Sequence, residues 1–453
     1  MLMNNVHKKI AVYFLLLLPS LLLAQGDVLE SYVQQVLREN PSILASRLVE
    51  NERSISISLA EASKRGTVDL KSDYLLSAGG RGIAFPVGDL FNPTYATLNQ
   101  LTGEERFPTN LENVNERFLP SNFHDTRIEA RLPLLQPLIG REVALRQAQL
   151  LEAKAATAVV ANELRRQVKD LYYAYLQSEE GQRIIDSSRL VVTELLRVNK
   201  ALVKNDKVTQ DAVYRTEAEL AGLDAQQASL TQQGLLAQAA LNRLLGRALN
   251  TPIETGPLPS LPEETQAFTL LSTRGRAQRP ELRQLDAASE SLYRLEDLQD
   301  AGRRPTLGAF LNAGAQGFFT GDLNDHPYAT VGLAFSMNLY DGKKRNLQQQ
   351  QTRLQREQLT QQREDAARGI DFQIWQATQT ITNERAQLVA SQSRARAAAA
   401  SLRIVQSRYR NQNALLIELL DARNELTTAQ LEQNLSHYRL LQAYAALEAA
   451  VGE

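Results

Sequence analysis

The chain carries the same plan twice, and this repetition restricts the folds available to it more than any other feature does. Glu39-Asn40-Pro41 and Gln278-Arg279-Pro280 each precede an apolar pattern with helical spacing. In each half a strand, a loop, a second strand and two very long helical stretches follow. Residues 250–265 separate the halves with four prolines, which exclude a continuous helix there. The sequence therefore predicts two structural repeats, residues 25–249 and 266–453, joined by a proline-rich linker.

The first 24 residues have the layout of a secretory signal peptide. His7, Lys8 and Lys9 precede an apolar run over residues 10–23, and Ala24 offers a small residue for cleavage. We therefore expect residues 1–24 to be removed before folding. The remaining sequence has no apolar stretch of about 18 residues, so we expect no transmembrane helix in it.

The helical stretches keep the seven-residue spacing of coiled coils. In the second repeat this spacing is followed by Ala367, Ile374, Ile381, Leu388, Ala395, Leu402 and Tyr409. The pattern predicts long helices at about 141–204 and 207–247, and again at about 343–411 and 414–450. A helix of about 60 residues is a rod of roughly 90 Å, which suits a structure that crosses a wide aqueous gap.

Four segments alternate apolar and polar residues as strands do. They lie at about 67–78, 123–134, 306–319 and 327–339, and each has the length that a tilted strand needs to cross hydrocarbon. A soluble antiparallel sheet alternates as well, so the pattern alone leaves both interpretations open. Four strands cannot close a barrel around a pore, and an open edge is not tolerated in lipid. A membrane interpretation therefore requires several copies to share one barrel.

Composition excludes several classes of function. The chain has no cysteine, which excludes disulfides and thiolate chemistry, and its net charge of −1 gives no basic excess for nucleic acid. The four histidines form no metal-ligand spacing, and no phosphate-binding or nucleophile motif is present. We therefore expect neither an enzyme nor a cofactor or metal site.

Local motifs then connect the chain to a known family. Residues 409–422, with the sequence YRNQNALLIELLDA, look like the turn between two long helices, and residues 202–213 look like their first-repeat counterpart. Leu241–Gly246 and Leu339–Gly342 resemble a helix end and a strand-to-helix return. In this order and spacing, the chain resembles the TolC family of outer-membrane efflux proteins over nearly all of its length.

The resemblance implies a mainly α fold with a membrane β part. In that fold three copies share a 12-stranded β-barrel, which continues as a 12-helix α-barrel tunnel into the periplasm. It implies a passive exit duct in the outer membrane of a Gram-negative bacterium, surrounded by outer-membrane lipid. It also implies two partners, namely a periplasmic adaptor (membrane fusion) protein and an inner-membrane pump such as an RND or ABC transporter.

The resemblance further assigns roles to residues near the tips of the helical hairpins. Glu418 and Asp421 would line the tunnel constriction as rings of carboxylates, which favour cations, and Asp211 and Tyr409 would hold the closed tip. The adaptor would contact the hairpin turns at Asn205, Asp206, Gln412 and Asn413. The family usually has glycine at these turns. Asparagine tolerates left-handed backbone, so the turns remain feasible here.

Two questions stay open at the level of sequence. The chain could serve a type I protein secretion system, or it could be a soluble periplasmic coiled-coil scaffold without a pore. An envelope enzyme is a more distant alternative because no site for it is found.

The loop at residues 79–122 is much longer than its counterpart at 320–327. Its aromatic and turn residues predict partial order, and the sequence assigns no role to it.

Overall fold

The computed structural model describes residues 28–119, 122–259, 266–318 and 326–453. The predicted signal peptide (1–24) and residues 260–265 of the predicted linker lie outside this range. Residues 250–259, which are described, form no helix or strand. Within the described residues, no helix combines the length and the apolar character that crossing a membrane requires.

The order of elements repeats in the two halves, as predicted. The first half contains α1 (Val28–Glu39), α2 (Pro41–Ala62), β1 (Thr67–Leu75), β2 (Gly82–Phe85), α3 (Val87–Thr102), β3 (Val114–Arg117), β4 (Phe123–Leu135), α4 (Pro137–Lys204) and α5 (Asp211–Leu245). The second half contains α6 (Phe268–Gln278), α7 (Pro280–Ala301), β5 (Thr306–Phe318), β6 (His326–Ser336), α8 (Lys344–Arg410) and α9 (Leu416–Val451).

Proline marks the start of three helices. Pro41, Pro137 and Pro280 are the first residues of α2, α4 and α7, where a missing N–H costs nothing because the first turn has no partner for it. At α2 the Oδ1 of Asn40 also accepts a hydrogen bond from the backbone N–H of Ser42 at 2.9 Å. Pro137 explains why α4 begins four residues before the predicted position of 141.

The chain forms two compact units, each with contributions from both repeats. One unit comprises Ser56–Leu145 and Arg294–Thr352, and contains an antiparallel sheet in the order β1-β4-β5-β6. Leu70 pairs with Ile128, Ile128 with Ala313, and Leu311 with Val331, so apolar residues of neighbouring strands share one face. We call this the apolar face of the sheet.

The apolar face is exposed to its surroundings in the single chain. Its exposed members include Val68, Leu70, Ile128, Leu132, Leu311, Val331, Leu333 and Phe335. Val331 keeps 77 % of its surface accessible. A soluble sheet buries one such face, whereas in the described part of the chain these apolar side chains are exposed.

The other unit comprises residues 28–55, Arg146–Tyr293 and Arg353–Glu453, and is helical. One core joins α1 to the middle of α4, the end of α5 and the end of α9, around Val36, Val168 and Leu241. A second core joins α6, α8 and α9 around Ile374 and Ile381. The seven-residue series of α8 is therefore buried as predicted. Ala395 and Leu402 continue it in a third core against α9.

Several boundaries differ from the sequence-based ones. α5 begins at Asp211 rather than 207 and α9 at Leu416 rather than 414, because each hairpin turn takes up the residues in between. β1 ends at Leu75 rather than 78, and β6 ends at Ser336 rather than 339. The long loop is folded. Residues 79–119 contain α3 and a two-stranded antiparallel sheet of β2 with β3, elements that the sequence pattern alone does not reveal.

Candidate functional site

The turn between α4 and α5 is closed by two backbone hydrogen bonds. The N–H of Lys207 donates to the carbonyl of Leu202 at 2.9 Å, and the N–H of Asp206 donates to Val203 at 3.0 Å. This pair of bonds is the Schellman motif, which requires a left-handed residue directly after the helix cap. That residue is Asp206, with a φ of 55°. Asn205 does not take the left-handed position.

The turn between α8 and α9 repeats this geometry. The N–H of Asn413 donates to the carbonyl of Arg408 at 2.8 Å, and that of Gln412 donates to Tyr409 at 3.0 Å. The left-handed residue is Gln412, with a φ of 59°, rather than Asn413. A non-glycine residue in this conformation is disfavoured by roughly 1–2 kcal/mol. Both tips therefore contain a residue that glycine would replace without strain.

Glu418 is bound to the start of its own helix. Its Oε1 accepts a hydrogen bond from the backbone N–H of Leu415 at 3.1 Å, and its Oε2 lies 3.5 Å from Nη1 of Arg408. Arg408 also donates from Nη2 to the carbonyl of Asn413 at 3.0 Å. The predicted constriction residue therefore has a structural role as well, since it caps α9 and ties the turn to the end of α8.

Asp421 and Asp211 both lie near Arg215. The Nε of Arg215 donates to Asp211 at 2.8 Å, one helical turn away on α5. This hydrogen bond and the charges of Asp211 and Asp421 raise the pKa of the Arg215 guanidinium. The side chains of Asp211, Arg215 and Asp421 are exposed. The charge of Arg215 on the first hairpin therefore interacts with that of Asp421, the predicted constriction residue of the second hairpin.

Tyr409, the other predicted tip contact, is half-buried on α8, and burial raises the pKa of its hydroxyl. Among the described residues no hydrogen bond joins it to Asp211. The structure of one chain therefore does not bring these two residues together.

A polar cluster that begins two residues after Asp421 fastens α9 to α4. Arg423 donates to Oγ of Ser188 at 3.2 Å and to the carbonyl of Ser187 at 3.1 Å. Ser188 also shares a buried 2.8 Å hydrogen bond with Thr427. Burial lowers the pKa of Arg423. The two repeats are thus joined by side-chain hydrogen bonds just behind the tips.

The second face of the sheet carries ion pairs. Lys71 lies 2.8 Å from Glu129, which Arg131 also contacts, and the Glu129 side chain is only 6 % exposed. Arg127 donates to Asp73 at 3.0 Å and also pairs with Asp125. We call this the charged face. A sheet with one exposed apolar face and one paired, charged face is suited to separate hydrocarbon from a polar interior.

The second repeat matches a known protein family. Residues 271–453 match the family model for outer membrane efflux proteins. This part of the chain, 183 of its 453 residues, is similar to that family. The match confirms the resemblance to the TolC family and the expectation of an outer-membrane exit duct. The family consists of channels rather than enzymes. No curated protein matches the chain at a significant level.

Solved structures share the fold over almost the whole chain. The outer membrane protein VceC from Vibrio cholerae is 15 % identical with a TM-score of 0.68, covering 94 % of this chain and 96 % of its own. The CmeC outer membrane channel of Campylobacter jejuni is 13 % identical with a TM-score of 0.71, covering 94 % and 85 %. A membrane protein from Pseudomonas aeruginosa is 13 % identical with a TM-score of 0.73, covering 94 % and 90 %. These likenesses confirm the predicted fold, a mainly helical chain with a β part.

Sequence reasoning named the acidic residues of the tips and missed their arginine partners. Arg215 could have been found, because Asp211 and Arg215 have the four-residue spacing of a helical ion pair. Arg408 could not, because it reaches Glu418 across a turn. Among the described residues Arg423 has no acidic partner of this kind and bonds to Ser187 and Ser188 of another helix, which the local sequence does not indicate either. The left-handed residues are Asp206 and Gln412, whereas the sequence-based argument for these turns relied on asparagine.

Proposed function

We propose that three copies of the chain form one continuous duct, which receives substrates from an inner-membrane pump through a periplasmic adaptor. The four-stranded sheet of each copy would supply a third of a 12-stranded barrel. The four long helices of each copy would supply a third of a 12-helix tunnel. The duct itself would be passive, since the family is one of channels and the pump would supply the energy.

The apolar face of the sheet supports this proposal most directly. Val68, Leu70, Val331 and Leu333 are all largely exposed in the single chain. In water this face would cost free energy in proportion to its area, at about 25 cal/mol per Å². In a bilayer the same side chains would face lipid tails, so the cost would become a contribution to stability.

The two edges of the sheet support the sharing of one barrel. Among the described residues β1 pairs with β4 and β6 pairs with β5, and no second strand lies beside either edge there. An unpaired edge is not tolerated in hydrocarbon. Pairing of β6 in one copy with β1 in the next satisfies both edges at once, and repetition of this contact closes a ring.

The tips would form the periplasmic end of the duct. Glu418 and Asp421 would line its constriction, and Asp211 and Tyr409 would hold it closed through contacts between copies. The exposed turn residues Asn205, Asp206, Gln412 and Asn413 would meet the adaptor.

Two alternative functions make different demands on the sheet. A duct for type I protein secretion would have the same architecture, and its substrate would be set by the pump. A soluble periplasmic scaffold would have no use for a sheet with an exposed apolar face, and this observation favours the duct.

Planar-bilayer recording tests the proposal. The purified chain without residues 1–24 should insert from detergent and give discrete ionic conductance, and cell fractionation should recover it with the outer membrane. A double variant with charges on the apolar face, Leu70→Lys with Val331→Lys, should lose membrane insertion, because a lysine near the bilayer midplane costs roughly 2–4 kcal/mol. The matched control Lys71→Gln changes the charged face and should still insert. Recovery of the unmodified chain in the soluble fraction without conductance would refute the duct.

A further inference from the structure

Residues 79–119, which we call the arm, form a small folded segment between β1 and β4. Its helix α3 holds the returning chain along one face. Asn92 donates to the carbonyl of Leu111 and accepts from its N–H, both at 2.8 Å. Asn99 makes the same pair of bonds with Phe107, at 2.8 and 3.0 Å. The arm is therefore an ordered structure whose helix is fixed in rotation.

The contact with the returning chain is close. A Cβ added at Gly88 would lie 2.1 Å from the carbonyl oxygen of Leu111, and the ring of Tyr95 stacks on that of Phe107 with centroids 5.5 Å apart. Gly88, Asn92, Tyr95 and Asn99 follow a spacing of four, three and four residues, so they lie on one side of α3. This side of α3 packs against the returning chain of the arm.

The opposite side of α3 has a second series with the same spacing. It consists of Leu90, Thr94, Thr97 and Leu101, which we call the outer seam. All four are exposed, Leu90 at 63 % and Leu101 at 78 %. A spacing of four, three and four residues is that of the contact positions in a coiled coil. The outer seam is therefore arranged to meet another helix.

The hydroxyl groups of the two threonines are hydrogen-bonded within α3. The hydroxyl of Thr94 donates to the carbonyl of Leu90 and that of Thr97 to Pro93, each at 3.0 Å. Because both hydroxyls already have partners in their own helix, covering the seam would leave no unsatisfied polar group there. Two leucines with two such threonines form a narrow surface that another helix can approach closely.

The charge of α3 favours a protein partner over lipid. Among its 16 residues only Asp89 is charged, and Asn113 donates a hydrogen bond to it at 3.0 Å. α7, by contrast, carries eight charged residues in 22. Helices that lie on membrane surfaces usually have lysine or arginine on their polar face, and α3 has neither.

The position of the arm identifies the partner. The arm follows β1, which is an edge strand of the sheet, and the hydroxyl of Tyr74 near the end of β1 is hydrogen-bonded to Asn122 at the start of β4. In the proposed ring, β1 lies at the boundary with the next copy. The arm therefore emerges beside a second copy of this chain, at the end of the sheet where β1 ends and β4 begins.

We propose that the outer seams of neighbouring copies pack against one another, so that the arms join the subunits at the outer mouth of the duct. This inference rests on the proposed assembly. A seam of four side chains buries much less than the roughly 800 Å² per partner of a stable interface. Free arms would not associate, but arms held on one ring meet at high effective concentration.

Cysteine crosslinking tests the inference without background, because the chain has no cysteine. Leu90→Cys and Thr97→Cys place a thiol on the outer seam, whereas Ala96→Cys places an exposed thiol off it. Oxidation of dilute trimers in detergent should give a disulfide-linked dimer several-fold more abundant for the two seam variants than for the control. Adding Leu90→Gln and Leu101→Gln to Thr97→Cys should abolish the difference.

Two other outcomes would overturn the inference. One is equal crosslinking of seam and control variants while light scattering on the same sample still shows a trimer. The other is an environment-sensitive fluorophore on Leu90→Cys that shifts to the blue only in lipid vesicles, which would assign the seam to lipid. Loss of the trimer in the cysteine-free chain would instead refute the proposed assembly itself.

Discussion

The two hairpin tips share one turn and differ in how the following helix is fastened. At both tips a left-handed residue, Asp206 or Gln412, closes the same pair of backbone hydrogen bonds. After Gln412, however, Glu418 caps α9 and pairs with Arg408. After Asp206, α5 begins at Asp211, and the preceding Gln210 provides no side-chain cap. In the first turn of α5 the exposed Asp211 pairs with Arg215.

The difference indicates which tip can move at lower cost. A hydrogen bond like that between the N–H of Leu415 and Glu418 contributes about 1 kcal/mol to stability, whereas an exposed ion pair one helical turn apart contributes about 0.3–0.5 kcal/mol. α9 is also fastened to α4 through Arg423 and Ser188. We therefore expect the first-repeat tip to be the more mobile part of the periplasmic end.

The largest expected effect concerns ion selectivity. Glu418→Ala with Asp421→Ala should lower the cation-to-anion permeability ratio severalfold in planar bilayers, because two rings of carboxylates would be removed from the constriction. Asp421→Ala alone should account for most of the change, since Arg408 partly neutralises Glu418 in the unmodified chain. An unchanged ratio in the double variant would exclude both residues from the constriction.

The next effect concerns the closed tip. Asp211→Ala or Tyr409→Phe should raise the resting conductance, since each removes a group assigned to the contacts that hold the tip shut. Asp211→Ala should act more strongly, because it also releases Arg215 at the less fastened tip. Asp224→Ala, which removes the partner of Arg189 further along the same hairpin, serves as a control and should leave the resting conductance unchanged. If neither tip variant differs from this control, the closed-tip assignment is wrong.

The smallest effect concerns the turns themselves. Gln412→Gly should raise the free energy of unfolding by about 1 kcal/mol, because glycine takes a left-handed conformation without strain. Asp206→Gly should raise it less, since aspartate tolerates this conformation better than glutamine does. Thermal unfolding followed by circular dichroism measures both. A larger gain at Asp206 would contradict the view that the two turns have the same backbone geometry.

Much of the fold follows from short-range patterns. The seven-residue series through Ile374 and Ile381 predicted the buried side of α8, and the alternation around Ile128 and Val331 predicted the two faces of the sheet. Pro41 and Pro280 marked the starts of equivalent helices. In each case burial is decided by the period of a regular element, which can be read directly from the sequence.

The parts that were missed depend on contacts distant in sequence. Asn92 and Asn99 of α3 form hydrogen bonds with residues up to 19 positions away in the chain. No local sequence pattern predicts such hydrogen bonds. The sequence shows an acidic residue at Glu418 but not its hydrogen bond with the backbone N–H of Leu415. Its pairing with Arg408 joins residues on opposite sides of a turn. Which charge meets which depends on the three-dimensional path of the chain.

The account depends on the apolar face of the sheet being shared by several copies in lipid. Light scattering on the chain without residues 1–24, purified in detergent, measures the number of copies directly. The account predicts a mass of three chains that persists on dilution and a loss of solubility when the detergent is removed. A monodisperse monomer that stays dissolved in plain buffer would contradict it.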